Sequence, residues 1–254
     1  MFPAEMLVLV AVIGAVGGVV AGIGGPGGIP VLLALNLLLA LSPSVAAATA
    51  SSVFIVATMT ATGLYYHSDG IDWALAATVG LPALVGTHAG TTIATTLPPR
   101  RFEFVLGGVL LLAALGIFYQ QRGDDEDGPS LATTWNSATL RGVVALGSLL
   151  VGVLAGITGI GGPALTVPFM IFLGVNSIVA IGAGLASGVL ITANTTLGHA
   201  LQGTGPALVP LAVVGVPYVT AQVLGWKYVH SVSERTVAYT VAAIAGLGGL
   251  VVVA

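Results

Sequence analysis

Long apolar runs alternate with short polar punctuation along this chain, and the runs have the length of membrane-spanning helices. About 20 apolar residues cross the hydrocarbon core of a bilayer as a helix. Candidate spans of that kind fall at 5–24, 44–66, 72–97, 102–121, 138–158, 176–202, 206–226 and 235–254. Two shorter apolar pieces, 29–41 and 164–174, follow Gly-rich breaks and predict half-helices or re-entrant segments. Charges sit where this map puts the ends. Asp69 and Asp72 flank one turn, Arg100 and Arg101 mark another, and no Asp, Glu, Lys or Arg lies deep inside a span. The strongly polar stretch QQRGDDEDGPS, at 120–130, reads as a solvated linker. The expected organisation is a first transmembrane part over 1–121, an acidic linker over 122–137 and a second transmembrane part over 138–254.

Composition narrows the class. The 254 residues are 56% hydrophobic and 6% charged, whereas soluble domains carry about 25% charged residues. So few charges cannot clothe a soluble surface, and an all-α polytopic membrane protein is expected, with the lipid bilayer as its solvent. The net charge of −3 and the lack of any basic run argue against a nucleic-acid partner. With no cysteine in the chain, disulfides, thiolate metal sites and cysteine nucleophiles are excluded. No Lys or Arg precedes the first apolar stretch, so it reads as a retained helix and not as a secretory signal.

The sequence also repeats itself. GVVAGIGGPGG at 18–28 returns as GVLAGITGIGG at 152–162, an offset of 134. After one inserted residue the register continues at 135: Ser52 with Ser187, Thr60 with Thr195, Gly80 with Gly215, Pro82 with Pro217, Gly90 with Gly225, and Arg100 with Arg235. Two homologous repeats follow. Five crossings in each would make them inverted, four would make them parallel, and the inverted arrangement is the expectation. Internal repeats with matching broken segments are characteristic of secondary transporters, whose substrate sits at the repeat interface near mid-depth.

The breaks themselves have a chemistry. Non-helical backbone at membrane depth is tolerated only where protein or a wet cavity covers it. A half-helix N-terminus offers free N–H groups and a positive dipole to an anion. Half-helices starting near Ile29 and Ala164 could aim such ends at one place, with Pro26, Pro30, Pro163 and Pro168 fixing the turns. The candidate substrate backbone is therefore Gly24, Gly25, Gly27 and Gly28 in one copy and Gly159, Gly161 and Gly162 in the other. Gly18 with Gly22, and Gly152 with Gly156, have the spacing of close helix–helix packing. Gly22, Gly24 and Gly27 match a dinucleotide fingerprint in form, but a membrane helix precedes them and no acidic residue follows at the needed distance. No P-loop or other cofactor motif is present.

The stretches GVVAGIGGPGGIPVLLAL and GVLAGITGIGGPALTVPFM, with AAATASSVF at 46–54 and GAGLASGVL at 182–190, resemble the sulfite exporter TauE/SafE family, also called the 4-toluene sulfonate uptake permease family. The resemblance covers essentially the whole chain. It implies a plasma-membrane carrier of small sulfur-containing anions such as sulfite or organosulfonates.

Without Lys or Arg in the spans, an anion would be held by N–H groups, hydroxyls, amides and histidine. Intramembrane polar residues are costly and often functional. Ser52, Ser187, Asn194 and Gln222 are the candidate side chains, with Ser187, Ile191 and Asn194 expected on one helix face and Gln222 able to face them. His88, mid-span, could pair with the anion or couple transport to protons. Its counterpart reading is a neutral histidine bonded between helices, and the bonded reading is favoured for His199. The expected activity is secondary transport of a small anion by alternating access, not catalysis. The same breaks could serve a passive anion channel. An intramembrane enzyme would need a nucleophile–base pair or metal cluster that no spacing here favours.

Overall fold

In the computed structural model the described residues are 2–22, 27–66, 71–122, 138–173, 175 and 177–227, with scattered helical positions between 239 and 250. The linker and much of the expected last span lie outside them, as do Gly24 and Gly25. Among the described residues the structure is helical throughout, with no strand. The helices are α1 (Ala4–Gly22), α2 (Gly28–Leu33), α3 (Pro43–Tyr66), α4 (Trp73–Thr96), α5 (Pro99–Arg122), α6 (Ala138–Thr158), α7 (Gly162–Phe172), α8 (Ser177–Leu201) and α9 (Leu208–Lys227). A π turn over Ala34–Leu38 extends α2.

Among the described residues four segments are long and apolar enough to cross a membrane: α1, α3, Val179–Leu201 of α8, and α9. The threonine-rich α4 matches them in length. Gly28–Leu38 and Gly162–Ile171 are shorter. At 1.5 Å per residue a helix of that size covers roughly half of a ~30 Å core. The outer surface is apolar, with Val8, Val12 and Val16 on α1, Leu81 and Val85 on α4, and Leu146 and Leu150 on α6 exposed. Many hydroxyls are buried instead, among them Thr58, Thr87, Thr91, Ser148, Thr166 and Thr192, while Thr92, Thr95 and Thr96 near the end of α4 are exposed. That inversion of the usual soluble pattern is what lipid demands.

Glycine sets the helix pairing. A Cβ at Gly18 would run into the Tyr218 backbone of α9, and one at Gly22 into the backbone at Gln222 and Gly225. Likewise, Gly152 lies on Ala83 of α4, and Gly156 lies on Thr87 and Gly90. Backbones this close gain dispersion contact that larger residues would prevent. The order of contacts gives the directions. Gly14, Gly18 and Gly22 meet Val214, Tyr218 and Gln222 in sequence, so α1 runs parallel to α9. Thr49 meets Ala207 and Val53 meets Gly215, so α3 joins them. In the same way α4 is parallel to α6, through Ala83–Gly152 and Thr87–Gly156, and to α8, through Gly80–Ser187 and Thr91–Gly198. Between the two sets the direction reverses, since Ser51 bonds Thr196 while Thr58 meets Thr192. The short helices double back. Gly27, just before α2, rests on Gly17 and Ala21 of α1, and α7 descends from Gly188 to Gly184 of α8.

Candidate functional site

Both glycine breaks converge on one phenyl ring. Phe54 lies halfway along α3, and a Cβ at Gly28 would sit 2.8 Å from its Cζ, while one at Gly161 would sit 3.0 Å from its Cδ2. Only glycine lets the two backbones close on the ring from opposite halves of the chain. Gly159 needs glycine for a second reason: its φ of +70° is a left-handed conformation, and a Cβ there would meet Ala47. Gly162 in turn abuts the Cα of Gly188.

A cavity of about 40 Å³ opens where the breaks meet. A single water needs about 10–15 Å³ on this measure, so the space holds a solute of a few heavy atoms. Gly27, Gly28 and Gly161 line it from the breaks, Phe54 and Thr58 from α3, Tyr218 and Gln222 from α9, and Pro163 and Ala164 from α7. Among the described residues that line it, none is Lys, Arg, Asp, Glu or His. The α7 helix begins at the cavity, with Gly161 as its N-cap and Pro163 in its first turn. Pro163 has no N–H and the Ala164 N–H donates to the Gly161 carbonyl at 3.0 Å, so what this end of α7 brings to the wall is chiefly the positive end of its helix dipole.

The candidate side chains separate. Gln222 is 3% exposed, lines the cavity, and its Oε1 has no hydrogen-bond partner among the described residues. Asn194 is engaged elsewhere: its Nδ2 donates to the Leu84 carbonyl at 3.0 Å and to Thr87 Oγ1, tying α8 to α4. The expected facing of Asn194 and Gln222 is therefore not found, because α8 turns this face toward α4 while Gln222 lies on the α1 side of α9. Ser52 donates to the Ala48 carbonyl at 2.7 Å and borders a separate hollow beside Leu211 and Gly215. Ser187 is buried beside Gly80 and donates to the Gly184 carbonyl at 3.2 Å. Hydroxyls satisfied by their own helix are the usual arrangement in membrane spans.

The two histidines also part. Mid-span His88 is exposed on the outer stripe of α4 with Leu81 and Val85, because Ala83, Gly86, Thr87 and Gly90 occupy the inward face. His88 does not line the cavity. His199 is buried, and its Nε2–H donates to the Gly156 carbonyl at 3.1 Å, joining α8 to α6 just ahead of the second break. At the surface, Tyr66 and Trp73 stack edge to face across the α3–α4 turn, and the Arg100 guanidinium lies 5.4 Å over Phe104. These are interfacial anchors.

Phe54 and Tyr218 are cavity residues that the sequence reading passed over, and their rings stand 5.6 Å apart. Their signal was position, since both aromatics lie mid-span, far from the interfaces that account for the tryptophans.

Comparison with known proteins agrees with this architecture. A curated relative, the Probable membrane transporter protein YdhB of Bacillus subtilis (strain 168), is 26% identical over 209 residues, which is 80% of this chain and 75% of the relative. No solved structure matches. The family model described as Sulfite exporter TauE/SafE matches residues 6–252, nearly end to end. The chain thus belongs to the sulfite exporter TauE/SafE family and is a membrane transporter.

Proposed function

We propose that this protein is a plasma-membrane secondary transporter of a small sulfur-containing oxyanion, held at the cavity between the two glycine breaks. The carrying observation is that Gly28 and Gly161, far apart in sequence, rest on the same Phe54 ring and share one cavity. The positive end of the α7 helix dipole supplies the attraction that cationic side chains would supply in water. Sulfite comes from the family description, and the small cavity suits a solute of that size.

Alternating access by inverted repeats is the accompanying reading. Its support is that expected counterparts run oppositely: α1 against α6, α3 against α8, α4 against α9. Contacts also recur residue for residue at the repeat offset. Gly18 on Tyr218 corresponds to Gly152 on Ala83, and Gly22 on Gln222 corresponds to Gly156 on Thr87. Two such halves can rock about a fixed site. A proton gradient is the proposed drive, with His88 the exposed candidate for carrying the proton.

The test is flux in liposomes. Wild-type protein is expected to move radiolabelled sulfite saturably and against its own gradient when coupled to another. Gly161→Leu should insert normally yet lose at least 90% of flux, an order-of-magnitude expectation for a side chain driven into a closed site. Unsaturable flux that only dissipates gradients would mean a channel, and wild-type rates from Gly161→Leu would remove the cavity from the pathway.

A further inference from the structure

The second break costs α6 a hydrogen bond, and a histidine from another helix replaces it. In a continuous helix the Gly156 carbonyl would accept from the Ile160 N–H one turn later. Gly159, at a φ of +70°, turns the chain away, and the Ile160 N–H donates instead to Thr158 Oγ1 at 3.3 Å. The Gly159 N–H still reaches the Ala155 carbonyl at 2.8 Å, so Gly156 carries the first carbonyl of α6 left without its helical partner. Side chains, water or ligands must satisfy such carbonyls at a helix end. His199 of α8, fully buried, does so through its Nε2–H at 3.1 Å. Its own helix is fixed close by: Gly198 abuts Thr91 of α4, and the Thr196 hydroxyl donates to Ser51 of α3 at 2.9 Å.

We propose that His199 is a positioning residue of the anion site, capping α6 at Gly156 so that the break beyond it holds Gly161 against Phe54. This rests on the cavity between the breaks being that site, as argued above. Gly161, on the cavity wall, follows the capped carbonyl closely in the chain, and the Gly159 turn between them is pressed on the Ala47 backbone. Without a donor at 199 the carbonyl stays unmet in a water-poor interior, which is costly. The turn that carries Gly161 then loses its anchor on the α6 side. The device belongs to one half of the chain. At the repeat offset Gly156 corresponds to Gly22, whereas His199 corresponds to Leu64, which has no proton to donate. At this position the first half therefore has no equivalent hold on its break.

Two variants separate the donor from the bulk of the ring. His199→Gln keeps an N–H donor on a side chain of similar reach, and His199→Leu has none. Amide hydrogen exchange of the purified full-length protein in detergent reads the break directly, and liposome flux reads its effect on sulfite. His199→Leu is expected to raise exchange at Ile160 and Gly161 about tenfold, the usual scale for one lost buried hydrogen bond, while the middle of α6 around Gly152 keeps wild-type protection. Its KM for sulfite should rise by a similar factor with Vmax little changed, because the site is loosened and the helix seams are not. His199→Gln should restore most of both. A third reading holds even where His199→Leu does not fold. In wild-type protein labelled with 15N-histidine, the neutral His199 imidazole should carry its proton on Nε2, its signal among the four histidines being the one lost in His199→Gln.

Three results overturn the proposal. Wild-type exchange and KM in His199→Leu would mean that the break supports itself. Equal losses in the two variants, or exchange raised along the whole of α6, would mean that the ring fills space and its donor is idle. A proton on Nδ1 in the neutral wild-type imidazole would leave Nε2 with nothing to give the Gly156 carbonyl. Absence of saturable sulfite flux from the wild type would instead remove the anion site, whereas the exchange and tautomer readings judge the cap without any substrate.

Discussion

At the residue scale, the function of the breaks depends on what is missing from Gly28 and Gly161. Each glycine touches Phe54 where a methyl group would collide. Gly28→Ala is therefore expected to reduce sulfite flux by about tenfold, in line with a strained core insertion of roughly 1–3 kcal/mol. Adding Phe54→Leu should restore part of it, because the ring and not the turn is the obstacle. Liposome flux of the two single variants and the double variant measures that coupling, and strict additivity would place the strain elsewhere. The sequence marked both glycines but gave no sign that they share a partner, since Phe54 has Val189 as its repeat counterpart and its mid-span position ties it to neither glycine. Amides were similarly ambiguous. Asn194 and Gln222 are chemically alike, and only the fold shows that Thr87 engages the first while the second lines the cavity, its Oε1 without a partner among the described residues.

Among the elements, the spans were the most legible feature, because lipid permits a helix little variety. Expected limits of 44–66 and 138–158 meet observed helices at Pro43–Tyr66 and Ala138–Thr158. The short pieces at 29–41 and 164–174 were also seen as interruptions, though not the π turn at Ala34–Leu38, which no propensity distinguishes from an α-helix. The outward position of His88 was readable in principle. Ala83, Gly86, Thr87 and Gly90 form a stripe of small residues, and in membranes such stripes face protein. The glycine seams were read for packing, and the structure puts backbone carbonyls against them. Gly18→Leu and Gly152→Leu should each prise a helix pair apart, α1 from α9 and α4 from α6. Both variants are expected to lose most of the monodisperse folded fraction in size-exclusion chromatography in mild detergent. Gly142→Leu, with nothing near its Cβ, should leave that fraction unchanged.

For the whole molecule, topology joins the seams to the transport cycle. With α1, α3 and α9 running one way and α4, α6 and α8 the other, the turn before α4 and the turn before α9 open on opposite faces of the bundle. These turns occupy equivalent places in the proposed repeats, since Asp72 and Ala207 are separated by the 135-residue offset. Parallel repeats would put them on the same face. The chain contains no cysteine, so single cysteines can report sidedness without background. Asp72→Cys and Thr204→Cys, labelled with a membrane-impermeant maleimide in sealed vesicles of one orientation, are expected to react from opposite sides. Ser42→Cys should react from the same side as Thr204→Cys, because α3 starts where α8 ends, as the Thr49–Ala207 hydrogen bond shows. Labelling of Asp72→Cys and Thr204→Cys from one side would reverse half of the helix directions and leave the two breaks without the opposed approach to Phe54 on which alternating access depends.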